Sequence, residues 1–103
     1  MDFEWDSDKN NNNIAKHGID FEFAKEIFLG IWLSKLDLRR DYGEDRFIAI
    51  GVLEEFVLLA VYTIRKQKIR LISVRRANTE ERRIYHGYIE TRTIANPWTD
   101  AGL

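Results

Sequence analysis

Three apolar runs in the second half of the chain constrain its fold more than any other feature. They read RFIAIGVL (46–53), FVLLAVYTIR (56–65) and KIRLISVR (68–75), and all are rich in β-branched and aromatic residues. The polar segments between them are too short for the crossover that parallel neighbours need, so the runs predict antiparallel strands. The stretch FVLLAVY lacks polar alternation, which predicts a strand with both faces buried, by helices on one side and by a further helix or a partner on the other.

The first half of the chain predicts two helices with marked ends. Asp6 or Ser7 can accept hydrogen bonds from the free amide groups that begin the first helix, and Gly18 suits its end. Asp20 begins the second helix, FEFAKEIF, whose apolar residues form one stripe before Gly30.

The remaining segments complete an α+β fold. Residues 2–5, DFEW, predict a short edge strand, and WLSKL predicts a strand before the three long runs. Asn78 or Thr79 begins a C-terminal helix with glutamates in its first turn. We predict an α+β fold with two N-terminal helices, an antiparallel sheet of about four strands and a C-terminal helix. Residues 1–92 form a single domain, and residues 93–103 form a C-terminal tail.

Composition excludes several classes of protein. The 103 residues include no cysteine, which excludes a disulfide scaffold, a cysteine nucleophile and a thiolate metal site. The opening MDFEWDSDKNNNN is acidic and polar, whereas a signal peptide begins basic and then becomes apolar. No window approaches the roughly 18 apolar residues of a membrane span. We therefore expect a cytoplasmic protein that does not bind a membrane.

Charge is distributed unevenly along the chain, although the net charge is only -1. Residues 1–60 carry 7 Lys and Arg against 13 Asp and Glu, whereas residues 61–103 carry 9 against 4. Such asymmetry favours one surface for an anionic ligand and another that meets a basic partner. The alternative is an uneven scatter of charges without a function.

Arginines on the last predicted strand are the strongest chemical signal. Strict alternation along KIRLISVRR places Arg75 on the face of Leu71 and places Arg70 and Arg76 on the other face. Pairing through the adjacent turn brings Arg65 and Tyr62 near the start of this strand. Guanidinium groups bind phosphate oxygens in pairs and stay charged, so the cluster predicts a phosphate-binding surface. The alternative is that Arg65, Arg70 and Arg76 are solvated and paired with Glu44, Glu80 or Glu81.

The two histidines give weaker signals. His17 follows Lys16 and precedes Gly18, so it is either an acid or base near neutral pH or an ordinary cation at a helix C-terminus. His86 lies between two tyrosines on the last helix. Two histidines so far apart, without a spaced carboxylate, do not indicate a metal site.

Several widely separated motifs stand out along the chain and read FEWD, KHGIDF, EDRFIAIG, TIR, RLISVRRA and ERRIY. In the order and spacing of these motifs, from Phe3 to about Tyr85, the chain resembles the BrnT family of type II toxins. These are bacterial proteins paired with the antitoxin BrnA. Tyr62 stands where the family often has a histidine.

The resemblance implies a compact ribonuclease toxin with a RelE-like fold. Such a protein cleaves RNA without a metal or other cofactor and arrests translation until its antitoxin neutralises it. The implied partner is a BrnA-type antitoxin with a ribbon-helix-helix segment, in a complex of two copies of each protein. The toxin would then reach DNA only through the antitoxin. A non-catalytic module of the same fold, which binds RNA or a partner, is the alternative.

Nine residues are candidates for the site of such a ribonuclease. The expected role of Arg65, Arg70 and Arg75 is to stabilise the negative charge that develops on the phosphate. Proton transfer needs other groups, since arginine is almost never deprotonated, and the candidates are Tyr62, Lys16 and His17. Arg76 and Lys68 are candidates for RNA binding, and Trp5 either stacks on a base or lies in the core.

Overall fold

The computed structural model describes residues 1–101 of the chain. In chain order the elements are β1 (Asp2–Trp5), α1 (Ser7–His17), α2 (Phe21–Ala24), a 3₁₀ helix (Lys25–Leu29), β2 (Leu33–Leu36), β3 (Phe47–Leu53), β4 (Phe56–Arg65), β5 (Lys68–Arg76), α3 (Thr79–Thr91) and β6 (Thr99–Asp100). The predicted α+β class, with helices at both ends of the chain, is confirmed.

The sheet has six strands in the order β1-β5-β4-β3-β2-β6, two more than predicted. The antiparallel pairing of β3, β4 and β5 is confirmed. β1 pairs with β5 in parallel. Short turns predict the pairing of successive strands only, and most of the chain separates these two. β6 comes from the predicted tail and pairs with β2. The sheet is therefore mixed rather than purely antiparallel.

Helix ends lie where the capping residues predict them. The Asp6 side chain accepts hydrogen bonds from the amides of Asp8 and Lys9 and begins α1, and Gly18 ends it with φ 72°. Asp20 caps α2, whose predicted helix continues as the 3₁₀ helix. Asn78 and Glu81 form a reciprocal capping box at the start of α3, so the first turn of that helix is firmly anchored.

Apolar layers cover both faces of the sheet. The α2 face is covered by α2 and the 3₁₀ helix, which pack Phe21, Ile27 and Phe28 on the strands. The α3 face is covered by α3 and by the end of the chain, which contribute Tyr85 and Trp98. The middle residues of β4 are buried from Val57 to Thr63, as the apolar run predicted. No helix within residues 1–101 has both the length and the apolar character needed to cross a bilayer.

Asn13 of α1 completes the edge of β5 beyond the end of β1. Its side-chain oxygen accepts a hydrogen bond of 2.9 Å from the amide of Val74, and its side-chain nitrogen donates one of 2.9 Å to the carbonyl of Ile19. Asn13 is buried, so both backbone groups depend on it rather than on water. One asparagine of an unpromising polar run therefore holds α1 against the sheet.

We expect Asn13→Ala to lower the free energy of unfolding by about 1 to 3 kcal/mol, since it leaves the buried amide of Val74 unpaired and removes the bond to the carbonyl of half-buried Ile19. Urea unfolding monitored by tryptophan fluorescence measures the change. Asn12→Ala is the matched control, because Asn12 is exposed on the same helix. Equal stabilities of the two variants would contradict the role given to Asn13.

Candidate functional site

A β-bulge between β4 and β5 sets which way the arginines point. Val61 pairs with Ser73 and Tyr62 pairs with Leu71, so Ile72 is an extra residue that shifts the alternation of β5. The prediction that Arg75 shares the face of Leu71 and that Arg70 shares a face with Arg76 is therefore wrong, although Arg70 does lie opposite Leu71 as predicted. The sequence carries no visible signal for the bulge, because Ile72 fits a regular strand equally well.

The bulge brings four cations onto one side of the sheet. Arg70 pairs with Thr63, and Arg75 pairs with Leu59 of the α3-face layer. Arg65 pairs with Lys68 at the hairpin end of the same face, and Arg76 points to the opposite, α2 face, because it pairs with Leu58. We call the set Arg65, Lys68, Arg70 and Arg75 the arginine face.

The arginine face has two parts. Arg65, Lys68 and Arg70 lie on neighbouring rungs of the hairpin, where directly opposed Cβ atoms are about 5 Å apart. Arg75 lies further along β5; its partner Leu59 and the partner of Arg70 are four residues apart on β4, a separation of about 13 Å. A single phosphate does not span that separation, whereas a stretch of nucleic acid backbone does.

Each arginine of this face pairs with a carboxylate in the free protein. Arg70 Nη1 lies 2.8 Å from Glu4 of β1, and Arg65 Nη2 lies 3.0 Å from Glu44. Arg75 holds Glu81 with both terminal nitrogens, at 2.8 and 2.9 Å. Only the pairing of Arg65 with Glu44 was predicted as part of the alternative to phosphate binding; those of Arg70 with Glu4 and of Arg75 with Glu81 were not.

Glu81 has the least exposed side chain of these three carboxylates, at 15%. Burial pushes the pKa of Glu81 upward, but hydrogen bonds from Arg75 and from the Asn78 amide outweigh it and hold that pKa below its ordinary value. Glu81 is thus a charged carboxylate at neutral pH, and a phosphate that binds Arg75 must displace it.

Lys16 and His17 lie beside the arginine face at the edge of the sheet. Together with Ile72 and Ser73 of the bulge they line a cavity of about 170 Å³. Ile72 and Ser73 lie between Arg70 and Arg75 on β5, so the two α1 residues flank the middle of the arginine face. Both are exposed and therefore open to a ligand.

Tyr62 and Trp5 lie on the α2 face, away from the arginine face. Tyr62 is buried, stacks on Phe47 and shares a hydrogen bond of 2.8 Å with the hydroxyl of Ser34. Burial raises the pKa of the Tyr62 phenol. Trp5 packs edge-on against Phe21. Their placement favours core roles for both. Tyr62 and Arg65 are three residues apart on β4, so strand alternation alone predicts that they point to opposite faces of the sheet.

Three residues that the sequence analysis did not single out meet Arg75 on the α3 face. Lys35, Arg39 and Trp98 line, with Arg75, a cavity of about 330 Å³. The Lys35 ammonium lies 4.6 Å from the centre of the Trp98 ring. Lys35 lies two residues after buried Leu33 on β2, so the two side chains share a face of the sheet. This spacing is the signal from which the position of Lys35 could have been predicted.

Arg39 is held at this cavity by a buried carboxylate. The side chain of Asp37 is 0% exposed, and Arg39 donates to its two oxygens at 2.8 Å each. The hydrogen bonds from Arg39, opposed by burial, lower the pKa of Asp37 to about 2. Ionised Asp37 therefore stabilises the folded state relative to the unfolded state.

This contribution gives an expected pH dependence. Because the pKa of Asp37 is depressed in the folded state, its stabilisation is present above pH 4 and is lost as the pH falls toward 2. We expect Asp37→Asn to lower the free energy of unfolding by about 1 to 2 kcal/mol at neutral pH, with the difference from wild type shrinking below pH 4. Urea unfolding between pH 7 and pH 2.5 measures it; a constant difference across this range would contradict the assignment.

Among residues 1–101, no three His, Asp or Glu side chains are grouped so as to hold a metal ion. Comparison with curated proteins gives no match. A family model described as the ribonuclease toxin, BrnT, of type II toxin-antitoxin systems matches residues 5–81, more than half of the chain. The matched range includes all the residues of the arginine face and ends at Glu81.

Proposed function

Since the chain belongs to the BrnT family of ribonuclease toxins of type II toxin-antitoxin systems, we propose that it cleaves RNA without a metal ion and thereby inhibits translation. The observation that carries this proposal is the arginine face, where Arg65, Lys68, Arg70 and Arg75 share one side of the sheet. We further propose that the cell compartment is the cytoplasm, where RNA and ribosomes are found.

Metal-independent cleavage needs the 2′-hydroxyl of a nucleotide aligned on its own 3′-phosphate. The oxygen attacks phosphorus, the bond to the 5′-oxygen of the next nucleotide breaks, and the products are a 2′,3′-cyclic phosphate and a 5′-hydroxyl. Arg70 and Arg75 would bind successive parts of the RNA backbone, and one of them would stabilise the charge on the attacked phosphate. Arg65 and Lys68 extend the cationic surface along the hairpin.

Proton transfer would fall to Lys16 and His17, which flank the middle of the arginine face. The hydroxyl proton must leave the attacking oxygen, and the departing 5′-oxygen must gain one. The imidazole of His17 is suited to both steps because such a ring can accept a proton and donate one. Tyr62 is not part of this proposal because its hydroxyl is buried against Ser34 on the other face.

The carboxylates that pair with the arginines would act as exchangeable partners. Glu4, Glu44 and Glu81 hold the guanidinium groups in place in the free protein. The fork of a guanidinium group fits the oxygens of a phosphate as it fits those of a carboxylate, so RNA binding would exchange these ion pairs for contacts with phosphates.

The family implies an antitoxin partner. We propose that it is a BrnA-type protein with a ribbon-helix-helix segment, that the complex contains two copies of each protein, and that the toxin contacts DNA only through it.

A non-catalytic module that binds RNA or a partner is the second candidate. The specific observation in its favour is that Arg65, Arg70 and Arg75 are all ion-paired. In this case the ion-paired arginines stabilise the fold, and the cationic surface binds RNA or a partner without cleaving RNA.

Induced expression in bacteria separates the two candidates. We expect the wild-type chain to arrest growth with loss of intact RNA and expect co-expression of the protein encoded beside it to restore growth. Normal growth and intact RNA with abundant soluble protein would favour the binding module.

A further inference from the structure

A third cavity lies on the α2 face, on the opposite side of the sheet from the arginine face. It has a volume of about 530 Å³. Its walls come from the start of α2, the β3–β4 turn and the adjoining ends of β4 and β5. The apolar residues that line it are Ile19, Phe23, Leu53, Phe56 and Leu58. We call this cavity the α2 groove.

The α2 groove exposes aromatic side chains that the fold does not use. Phe23 is 61% exposed and Phe56 is 37% exposed. Phe23 lies one residue from buried Ala24 on a short helix, so a partner could cover it without any rearrangement of the core. Exposed aromatic residues around a concave surface are typical of protein interfaces, where they act as anchors.

Charges of opposite sign frame this apolar surface. Arg76 lies over the Phe56 ring at 4.4 Å. Within the described part of the chain no carboxylate lies within ion-pair distance of Arg76, in contrast to the three arginines of the arginine face. Glu26 and Glu54 also line the groove, and both are exposed. A complementary partner is apolar in its centre, acidic where it meets Arg76 and basic where it meets Glu54.

We propose that the α2 groove is the docking site of the antitoxin, which inserts an apolar segment there with an acidic side chain on Arg76. The inference rests on the proposed function, since it is the toxin-antitoxin family that supplies a protein partner. Helix-in-groove recognition supplies the expected form: an amphipathic helix with apolar anchors against Phe23 and Phe56. Arg76 thereby has a role on the α2 face, separate from RNA binding.

Docking at the α2 groove also places the antitoxin close to the arginine face. Arg75 and Arg76 are consecutive and point to opposite sides of the sheet at the end of β5. Arg75 Nη1 donates a hydrogen bond of 3.1 Å to the carbonyl of Arg76. A segment anchored on Arg76 therefore reaches Arg75 by passing around the end of one strand.

Two substitutions with matched controls test the groove. Phe23→Ser removes the exposed anchor, and its control is Leu38→Ser, at a site that is 80% exposed and does not line the groove. Glu54→Lys reverses a charge at the rim, and its control is Glu55→Lys in the same turn. The probe is the protein encoded beside the chain, and its affinity is measured by calorimetry. All variants carry Arg75→Ala as well, so that the protein can be produced without toxicity.

We expect Phe23→Ser and Glu54→Lys to weaken binding at least about ten-fold, with both controls within two-fold of the parent. Without Arg75→Ala, Phe23→Ser should still arrest growth and should resist rescue by the neighbouring protein.

Unchanged affinity of both groove variants would overturn the proposal, as would a neighbouring protein that does not bind the parent. Loss of self-association in Phe23→Ser with unchanged antitoxin affinity would assign the groove to a second copy of this chain. A wild type that binds the neighbour yet never arrests growth refutes the ribonuclease proposal alone.

Discussion

Replacing Arg75 with alanine is expected to reduce the rate of RNA cleavage by about 10²- to 10³-fold, the loss typical when one group that stabilises developing negative charge is removed. Arg75 is the arginine that holds a carboxylate with both terminal nitrogens, so its fork is already oriented for a two-oxygen contact. The measurement is the rate of cleavage of a labelled RNA by purified protein, and the in-cell counterpart is the loss of growth arrest.

The interpretation requires that the Arg75→Ala variant still folds, because it leaves the enclosed Glu81 without its partner. The double variant Arg75→Ala/Glu81→Gln removes this unpaired charge, so it should match the stability of wild type more closely while remaining inactive. Arg83→Ala is the charge-matched control, since Arg83 pairs with Glu80 on the exposed side of α3. A folded Arg75→Ala protein that cleaves RNA at the wild-type rate would remove Arg75 from the site.

Replacing Trp98 with alanine is expected to lower the free energy of unfolding by about 3 to 5 kcal/mol. Trp98 is only 5% exposed and lies in the apolar layer of the α3 face with Leu33, Ile48 and Tyr85. It also anchors β6, and the amide of Ala101 donates to the carbonyl of Trp32 just beyond it. The segment from Trp98 to Ala101 is thus an integral part of the fold.

Thermal and urea unfolding of the Trp98 variants measure this effect. Trp98→Phe should be intermediate, because it retains an apolar ring but leaves part of the cavity unfilled. Leu38→Ala is the exposed control, for which we expect a change within about 0.5 kcal/mol. Wild-type stability of Trp98→Ala would mean that residues 93–101 add nothing to the α3 face.

The elements that could be predicted from the sequence are those set by local interactions. The tight turns between β3, β4 and β5 require antiparallel pairing. Asp6 and Asn78 begin helices because their side chains accept hydrogen bonds from nearby amides, and Gly18 ends a helix because it adopts a left-handed backbone conformation. Contacts between distant residues could not be predicted in this way. β1 pairs with β5 across most of the chain, and Arg70 finds Glu4, 66 residues away.

The candidate site was predictable in its residues but not in its geometry. The arginines stand out as charges on an apolar strand, yet one bulged residue, Ile72, decides that Arg70 and Arg75 share a face and that Arg76 does not. Lys35 was missed because its strand is short and its neighbours on the α3 face come from later segments. Tyr62 was predicted to lie near the arginines because it is close to them in the sequence. Alternation along β4 instead turns its side chain to the α2 face, where it is buried against Ser34.

The most direct test of the proposed function is cleavage of RNA by the purified chain in the presence of excess EDTA. We predict that cleavage continues at an unchanged rate, that the products end in 2′,3′-cyclic phosphate and 5′-hydroxyl groups, and that Arg75→Ala slows their formation by about 10²- to 10³-fold. RNA that stays intact with and without divalent cations, or cleavage that requires such a cation, would contradict a metal-independent ribonuclease.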